Sequence, residues 1–335
     1  MRITTLHQMN ARHFAIAPLV ALALAVTSAC GGEKDGDSPV AAPPPVTPVV
    51  SVGEASGTKE SGVHVDYSNV SYETAESTYV QRRFADATAM FDAYVQRRPE
   101  NPWGHYMLGL SAWKSGDLAS ARGAFERSLE LDSTHVKTLL NLSRVLLDQD
   151  RAGEARERVL AAMALDSTSG EVHRMLGRTL TALGLPDEAI EAYRTALTVD
   201  PGEVWAMNNV ALIYIQQERY EDALGPLARA VQLRPGAPVF QNNLGIALEL
   251  SGHVGAAREA YRAAIFADSS YAKARVSLAR VEGLEDDPAK VTVVLSVLAD
   301  AFEREVQQWR DGRMAVVTPE IGVAVTPDPV PTPEP

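Results

Sequence analysis

Residues 170–203 read GEVHRMLGRTLTALGLPDEAIEAYRTALTVDPGE, and residues 204–237 read VWAMNNVALIYIQQERYEDALGPLARAVQLRPGA. Set one above the other, these 34-residue lines agree by column: Gly177 with Ala211, Ala189 with Ala223, Tyr193 with Leu227 and Pro201 with Pro235. A fixed period of this length marks a repeat array, in which each unit buries its apolar face only by stacking on its neighbours.

The register extends in both directions. Stepping by 34 from Ala87 gives Ala121, Ala155, Ala189, Ala223 and Ala257 without an insertion. Four residues after each comes a bulky apolar side chain: Phe91, Phe125, Val159, Tyr193, Leu227 and Tyr261. Twelve residues before each stands a small one: Ala75, Gly109, Ser143, Gly177, Ala211 and Gly245. Small residues on two helices let them approach closely, and the bulky ones fill the space between units. Gly116, Gly184 and Gly252 fall where the first helix must turn, while Pro99, Pro201 and Pro235 stop the second helix. Each unit therefore reads as helix-turn-helix.

These columns resemble those of the tetratricopeptide repeat. The resemblance implies an all-α, right-handed superhelical solenoid of six repeats, 68–101, 102–135, 136–169, 170–203, 204–237 and 238–271. The column where that family carries an early Trp holds His105, Leu139, His173, Met207 and Gln241 instead. Residues 272–311 are expected to supply the first helix of a seventh repeat and a capping helix. The latter starts at Asp287 and Pro288, a good N-terminal pair, and carries Val291, Val294, Leu295, Leu298, Phe302, Val306 and Trp309 on its apolar face.

Both ends read differently from the array. Arg2, Arg12 and an apolar run from Ala15 to Val26, followed by Thr27, Ser28, Ala29 and Cys30, have the layout of a secretory signal over residues 1–29. The run is shorter than the about 20 residues of a membrane span. With Cys30 directly after Ser28 and Ala29, the segment resembles a bacterial lipoprotein signal, which implies a lipidated Cys30. Ordinary cleavage after Ala29, leaving a free thiol, is the alternative. Gly31 in place of Asp leans that resemblance towards an outer-membrane anchor facing the periplasm. Residues 30–67 read as a disordered tether and residues 312–335 as a disordered tail, with Pro327, Pro329, Pro331, Pro333 and Pro335 at alternate positions.

Composition narrows the function. A net charge of −12 over 335 residues argues against binding nucleic acid through bulk charge, and leaves the lipid anchor as the link to a membrane. With Cys30 as the single Cys there is no disulfide framework and no Cys-based zinc site. The His residues are scattered over different repeats, and no glycine-rich phosphate loop, His-Glu-x-x-His or Gly-x-Ser-x-Gly motif occurs, so neither a cofactor nor an enzymatic activity is expected.

The family geometry implies that repeat positions 2, 5, 6, 9, 12 and 13 face a concave groove that takes a protein or peptide. Position 6 carries Asn141, Asn209 and Asn243, with Asn208 and Asn242 beside the last two, and resembles in part the asparagine ladder of the O-GlcNAc transferase superhelix. Amide side chains donate and accept, so such a column suits the backbone of an extended peptide. Helix-surface Asn is the plainer reading. Trp103, Trp113 and Trp205, with Tyr72, Tyr79 and Tyr106, are expected on this face, and Arg144, Arg174 and Arg178, with Lys114 and Lys137 and against Asp148 and Glu171, to make its middle basic and suited to an acidic segment or a C-terminal carboxylate. Six repeats behind a lipoprotein-type signal resemble the pilotin lipoproteins of type IV pili, whose partner would be an envelope-machine subunit. The competing expectation is an adaptor or regulatory subunit for a periplasmic enzyme or peptidoglycan machine.

Overall fold

The computed structural model describes residue 67, residues 69–286 and residues 292–314. The signal, Cys30, nearly all of the tether, the tail beyond Met314, and Asp287, Pro288 and Val291 lie outside the described residues. Among those described there are fourteen α-helices and no strand, which bears out the all-α expectation.

First helices are α1 (Tyr72–Val80), α3 (Pro102–Ser115), α5 (Val136–Asp148), α7 (Gly170–Ala182), α9 (Val204–Gln216), α11 (Pro238–Leu250) and α13 (Ala272–Val281). Second helices are α2 (Phe84–Arg97), α4 (Leu118–Leu131), α6 (Ala152–Leu165), α8 (Pro186–Val199), α10 (Tyr220–Leu233) and α12 (Val254–Ala267), and a last helix is α14 (Leu295–Met314). Consecutive first helices touch one another, whereas consecutive second helices do not. The stack therefore curves with the first helices on its inner side.

Local chemistry sets the turns at the same step. Arg82, Gly116, Asp150, Gly184, Glu218 and Gly252, each 34 residues apart, all take positive φ, from 58° to 94°. Between repeats, the side chains of Asp132, Asp166, Asp200 and Asp268 accept the backbone N–H two residues on. This stops the second helix and starts the turn. The column that lacks Trp braces the same turn: His105, His173, Gln241 and Arg275 each hydrogen-bond the carbonyl six residues earlier.

Every Ala of the register column is fully buried, and Phe91, Phe125, Val159, Tyr193, Leu227 and Tyr261 are at most 1% exposed. The small column lies beneath them. A Cβ on Gly109, Gly177 or Gly245 would stand 2.5–2.6 Å from the ring of Phe125, Tyr193 or Tyr261.

The last helix corrects the expectation of a cap. It packs on α8 and α10, the second helices of the fourth and fifth repeats, whereas at the end of the array the described helix that packs on both α11 and α12 is α13. The crossing is close at Gly225 of α10, where a Cβ would touch Phe302 Cβ at 3.4 Å. Phe302 and Val306 join the core of repeats four and five, Arg229 pairs with Glu303, and Arg194 lies 4.8 Å from the Trp309 ring centroid. The apolar face is thus Ala299, Phe302, Val306 and Trp309, while Val294 stays exposed.

Candidate functional site

The inner face is built where first helices meet. Their registers place residue n of one helix beside residue n+35 of the next: Tyr106 Oη accepts from Asn141 Nδ2 at 3.2 Å, Trp113 Nε1 donates to Asp148 at 2.9 Å, and Asn243 Nδ2 donates to Asn208 Oδ1 at 2.7 Å.

In the middle of the face the Tyr106–Asn141 and Trp113–Asp148 pairs each extend into ion pairs. Arg144 donates to Asn141 Oδ1 at 2.6 Å and to Glu171 at 2.5 Å. Arg174 lies 3.7 Å from Glu171 and 3.3 Å from Glu203, and Arg178 reaches Asp148 at 3.3 Å. Glu203 also caps α9 by accepting from the Trp205 N–H at 3.2 Å. The arginines of the expected basic middle are therefore neutralised, while Lys114 and Lys137 lie outside these ion pairs. Arg144 and Arg174 are buried, and the three guanidiniums face the three carboxylates of Asp148, Glu171 and Glu203, because burying a charge requires a partner. Burial opposes ionisation of Glu171, but Arg144 first, then Arg174 and Lys137, hold its carboxyl below the usual range.

The amides form a second network across repeats five and six. Asn242 donates to Asn243 at 3.5 Å, Asn243 to Asn208 at 2.7 Å, and Asn208 to Asn209 at 3.1 Å. Asn141, Asn208, Asn242 and Asn243 are buried rather than open to the groove, and Asn209 is the half-exposed end of the chain. At the other end, Asn242 Oδ1 is buried without a hydrogen-bond partner. An unmatched amide acceptor in such a network is an incentive for local rearrangement.

The aromatic residues separate. Trp205 packs edge-on against Phe240, with centroids 4.9 Å apart, and Trp113 is held by Asp148. Trp103 is 53% exposed and lies in a cluster with Tyr106 and His135. Sequence reading missed His135, Glu203 and the role of Tyr106. The 35-residue offset between facing first helices, the repeat length plus one residue of stagger, finds Tyr106 opposite Asn141 but not His135 or Glu203, which meet Trp103 and Arg174 at separations of 32 and 29 residues. Among the described residues there is no group of three or more His, Cys, Asp or Glu placed to hold a metal, and no helix long and apolar enough to cross a membrane.

Fold and site together define an α-helical repeat scaffold with a polar and aromatic inner face. Family models described as tetratricopeptide repeat match residues 72–136 and 174–238, and residues 112–179. The chain is 31% identical over 132 residues to photosystem I assembly protein Ycf3 of Prochlorococcus marinus (strain MIT 9303), covering 33% of this chain and 73% of that one. It is 32% identical over 116 residues to tetratricopeptide repeat protein 7B of Homo sapiens, covering 35% of this chain. It spans only 14% of that human protein's length. The structure of a thermophilic TPR protein from Thermus thermophilus superposes with TM-score 0.50 at 20% identity, over 55% of this chain and all of that one. The chain belongs to the tetratricopeptide repeat family.

Proposed function

We propose that the protein is a non-enzymatic scaffold that holds an extended peptide or helix of a partner protein along its inner face. The observation that carries this reading is the chain of four amides ending at half-exposed Asn209. Asn243 and Asn208 hold Asn209 through successive hydrogen bonds, so the accessible amide is pre-positioned for a peptide backbone and little entropy is lost on binding. The layout of residues 1–30 supports carriage in the bacterial cell envelope on lipidated Cys30, on the periplasmic side of the outer membrane. In that setting the partner is a subunit of an outer-membrane machine, served in the manner of a pilotin.

The test is photo-crosslinking in the envelope from a probe at Asn209, with and without Asn243→Ala. A trapped envelope polypeptide that is lost on Asn243→Ala supports the reading; equal trapping by both chains removes it. Recovery of soluble periplasmic enzymes alone favours an adaptor role over the pilotin-like one. For the anchor, Cys30→Ala is expected to abolish fatty-acid labelling and release the protein from membranes.

A further inference from the structure

Two features take no part in the amide chain: the exposed Trp103 cluster in repeats two and three, and the run of alternate prolines from Thr326 to Pro335, TPDPVPTPEP. Trp103 is 53% exposed although it is a large aromatic side chain. Its ring meets Tyr106 edge-on, with centroids 5.9 Å apart and planes at 87°, and lies 4.7 Å from the His135 ring, which is itself 5.0 Å from Tyr106. Tyr106 is fixed by Asn141, and His135 by Thr138, so the cluster is held in shape from below.

Rings at right angles present two apolar surfaces on adjacent sides. In a polyproline II segment, residues two apart are about 6 Å apart along the axis and rotated by about 120°, so alternate prolines offer rings to two such surfaces at once. Such a segment has no internal hydrogen bonds to give up and is already extended, which is why proline-rich chains dock on aromatic surfaces at low entropic cost.

Charge selects among the proline-rich segments of this chain. The run SPVAAPPPVTPVVSVG from Ser38 to Gly53 carries none, whereas the C-terminal run carries Asp328 and Glu334. Exposed Lys137 follows His135 by two residues, and Lys114 lies 4.7 Å from the Trp113 centroid, further along α3 from Trp103. The eleven residues from Trp103 to Lys114 rise about 16 Å along the helix, and the six from Asp328 to Glu334 about 19 Å in polyproline II. The nearby carboxylate of Asp132 is engaged by the Thr134 N–H and hydroxyl. Residues 315–335 reach roughly 70 Å when extended. At helix-packing distances of 8–10 Å, the cluster lies on the order of 30–40 Å from α8 and α10, on which α14 is seated.

We propose that residues 326–335 dock in cis on Trp103, Tyr106 and His135, with Asp328 and Glu334 towards Lys137 and Lys114, and so occupy the N-terminal half of the inner face until a partner displaces them. The proposal rests on the inner face being the ligand-bearing one, but on different residues from the amide chain.

The test uses the full chain and a fluorescent peptide of residues 326–335, followed by anisotropy. The receptor carries P327A, P329A, P331A and P333A, so that its own tail is disabled. Saturable binding is expected, weakened roughly tenfold or more by adding Trp103→Ala, as for an aromatic hot spot. Trp103 is surface-exposed, and circular dichroism checks that the variant folds. The wild-type chain is expected to bind the peptide more weakly than the tail variant, because its own tail competes at high effective concentration. No saturable binding, binding indifferent to Trp103→Ala, or equal affinity for the two chains overturns the proposal. So does tighter Trp103-dependent binding of a peptide of residues 38–53. Asn209→Ala with Asn243→Ala leaves tail binding unchanged, which separates failure here from failure of the amide reading.

Discussion

A Cβ on Gly245 would stand 2.5 Å from Cε1 of Tyr261, the ring that sits over it from the second helix of the same repeat. The tyrosine is fully buried and its hydroxyl donates to Glu249 at 2.7 Å, so it cannot swing aside. Burial, and then the Glu249 carboxylate, push its phenol well above the usual range. Gly245→Ala is expected to cost about 1–3 kcal/mol by overpacking, despite the better helix propensity of Ala. Repeat three shows the compensating pair, Ser143 with Val159, both fully buried. In a denaturation double-mutant cycle, Gly245→Ala should therefore cost less in a Tyr261→Val background; strictly additive losses would sink the steric account.

The turn column supplies a second prediction with opposite signs at equivalent positions. Glu218 has φ of 60° where Gly184 and Gly252 have 74° and 87°. A left-handed residue with a Cβ costs about 1–2 kcal/mol, part of which glycine returns through the flexibility of the unfolded chain. Glu218→Gly is expected to stabilise by roughly 0.5–1 kcal/mol and Gly184→Ala to destabilise by about 1 kcal/mol in chemical denaturation. Destabilisation by both would remove the backbone explanation.

These columns were legible in sequence because repetition amplifies them. One Gly beneath one aromatic says little, but Gly109, Gly177 and Gly245 under Phe125, Tyr193 and Tyr261 define a helix pair. The inner face was legible only in membership. Arg144, Arg174 and Arg178 stand in groove columns, yet their charge is cancelled by Glu171, Glu203 and Asp148 from neighbouring helices, 27 to 30 residues away. Pairing across a stack depends on stagger, which the period alone does not contain. The seat of α14 was not legible, because its amphipathic pattern fits any apolar surface, and the features that mark one are single residues, Gly225 at the crossing with Arg229 and Arg194 beside it.

The part of Gly225 can be tested within the repeat itself. Gly123 occupies in repeat two the position of Gly225 in repeat five, and a Cβ on it would meet nothing within 4 Å. Gly225→Leu is expected to lift α14 off α8 and α10, raising amide exchange across residues 298–310 by about tenfold or more while the repeats stay protected. Gly123→Leu should leave exchange in α14 unchanged. Unaltered protection of α14 in Gly225→Leu would show that the crossing does not depend on the missing side chain.

The central ion network makes a prediction about acid. Glu171 serves both Arg144 and Arg174, at 2.5 and 3.7 Å, and its carboxyl titrates below its usual value of 4.5 in the folded chain. The unfolded chain therefore takes up this proton first as pH falls. The contribution to stability is present above about pH 4.5 and is lost as pH drops through the lowered folded value. The Glu171 side chain is 42% exposed, so the direct effect is about 1 kcal/mol or less. The arginines amplify it, because Arg144 and Arg174 are about 4–5% exposed and lose the negative charge they share on protonation. Glu171→Gln should lower stability at pH 7 and flatten its decline between pH 4.5 and 3, read from urea midpoints at each pH. A variant whose decline parallels the wild type would mean that other carboxylates set the acid limit.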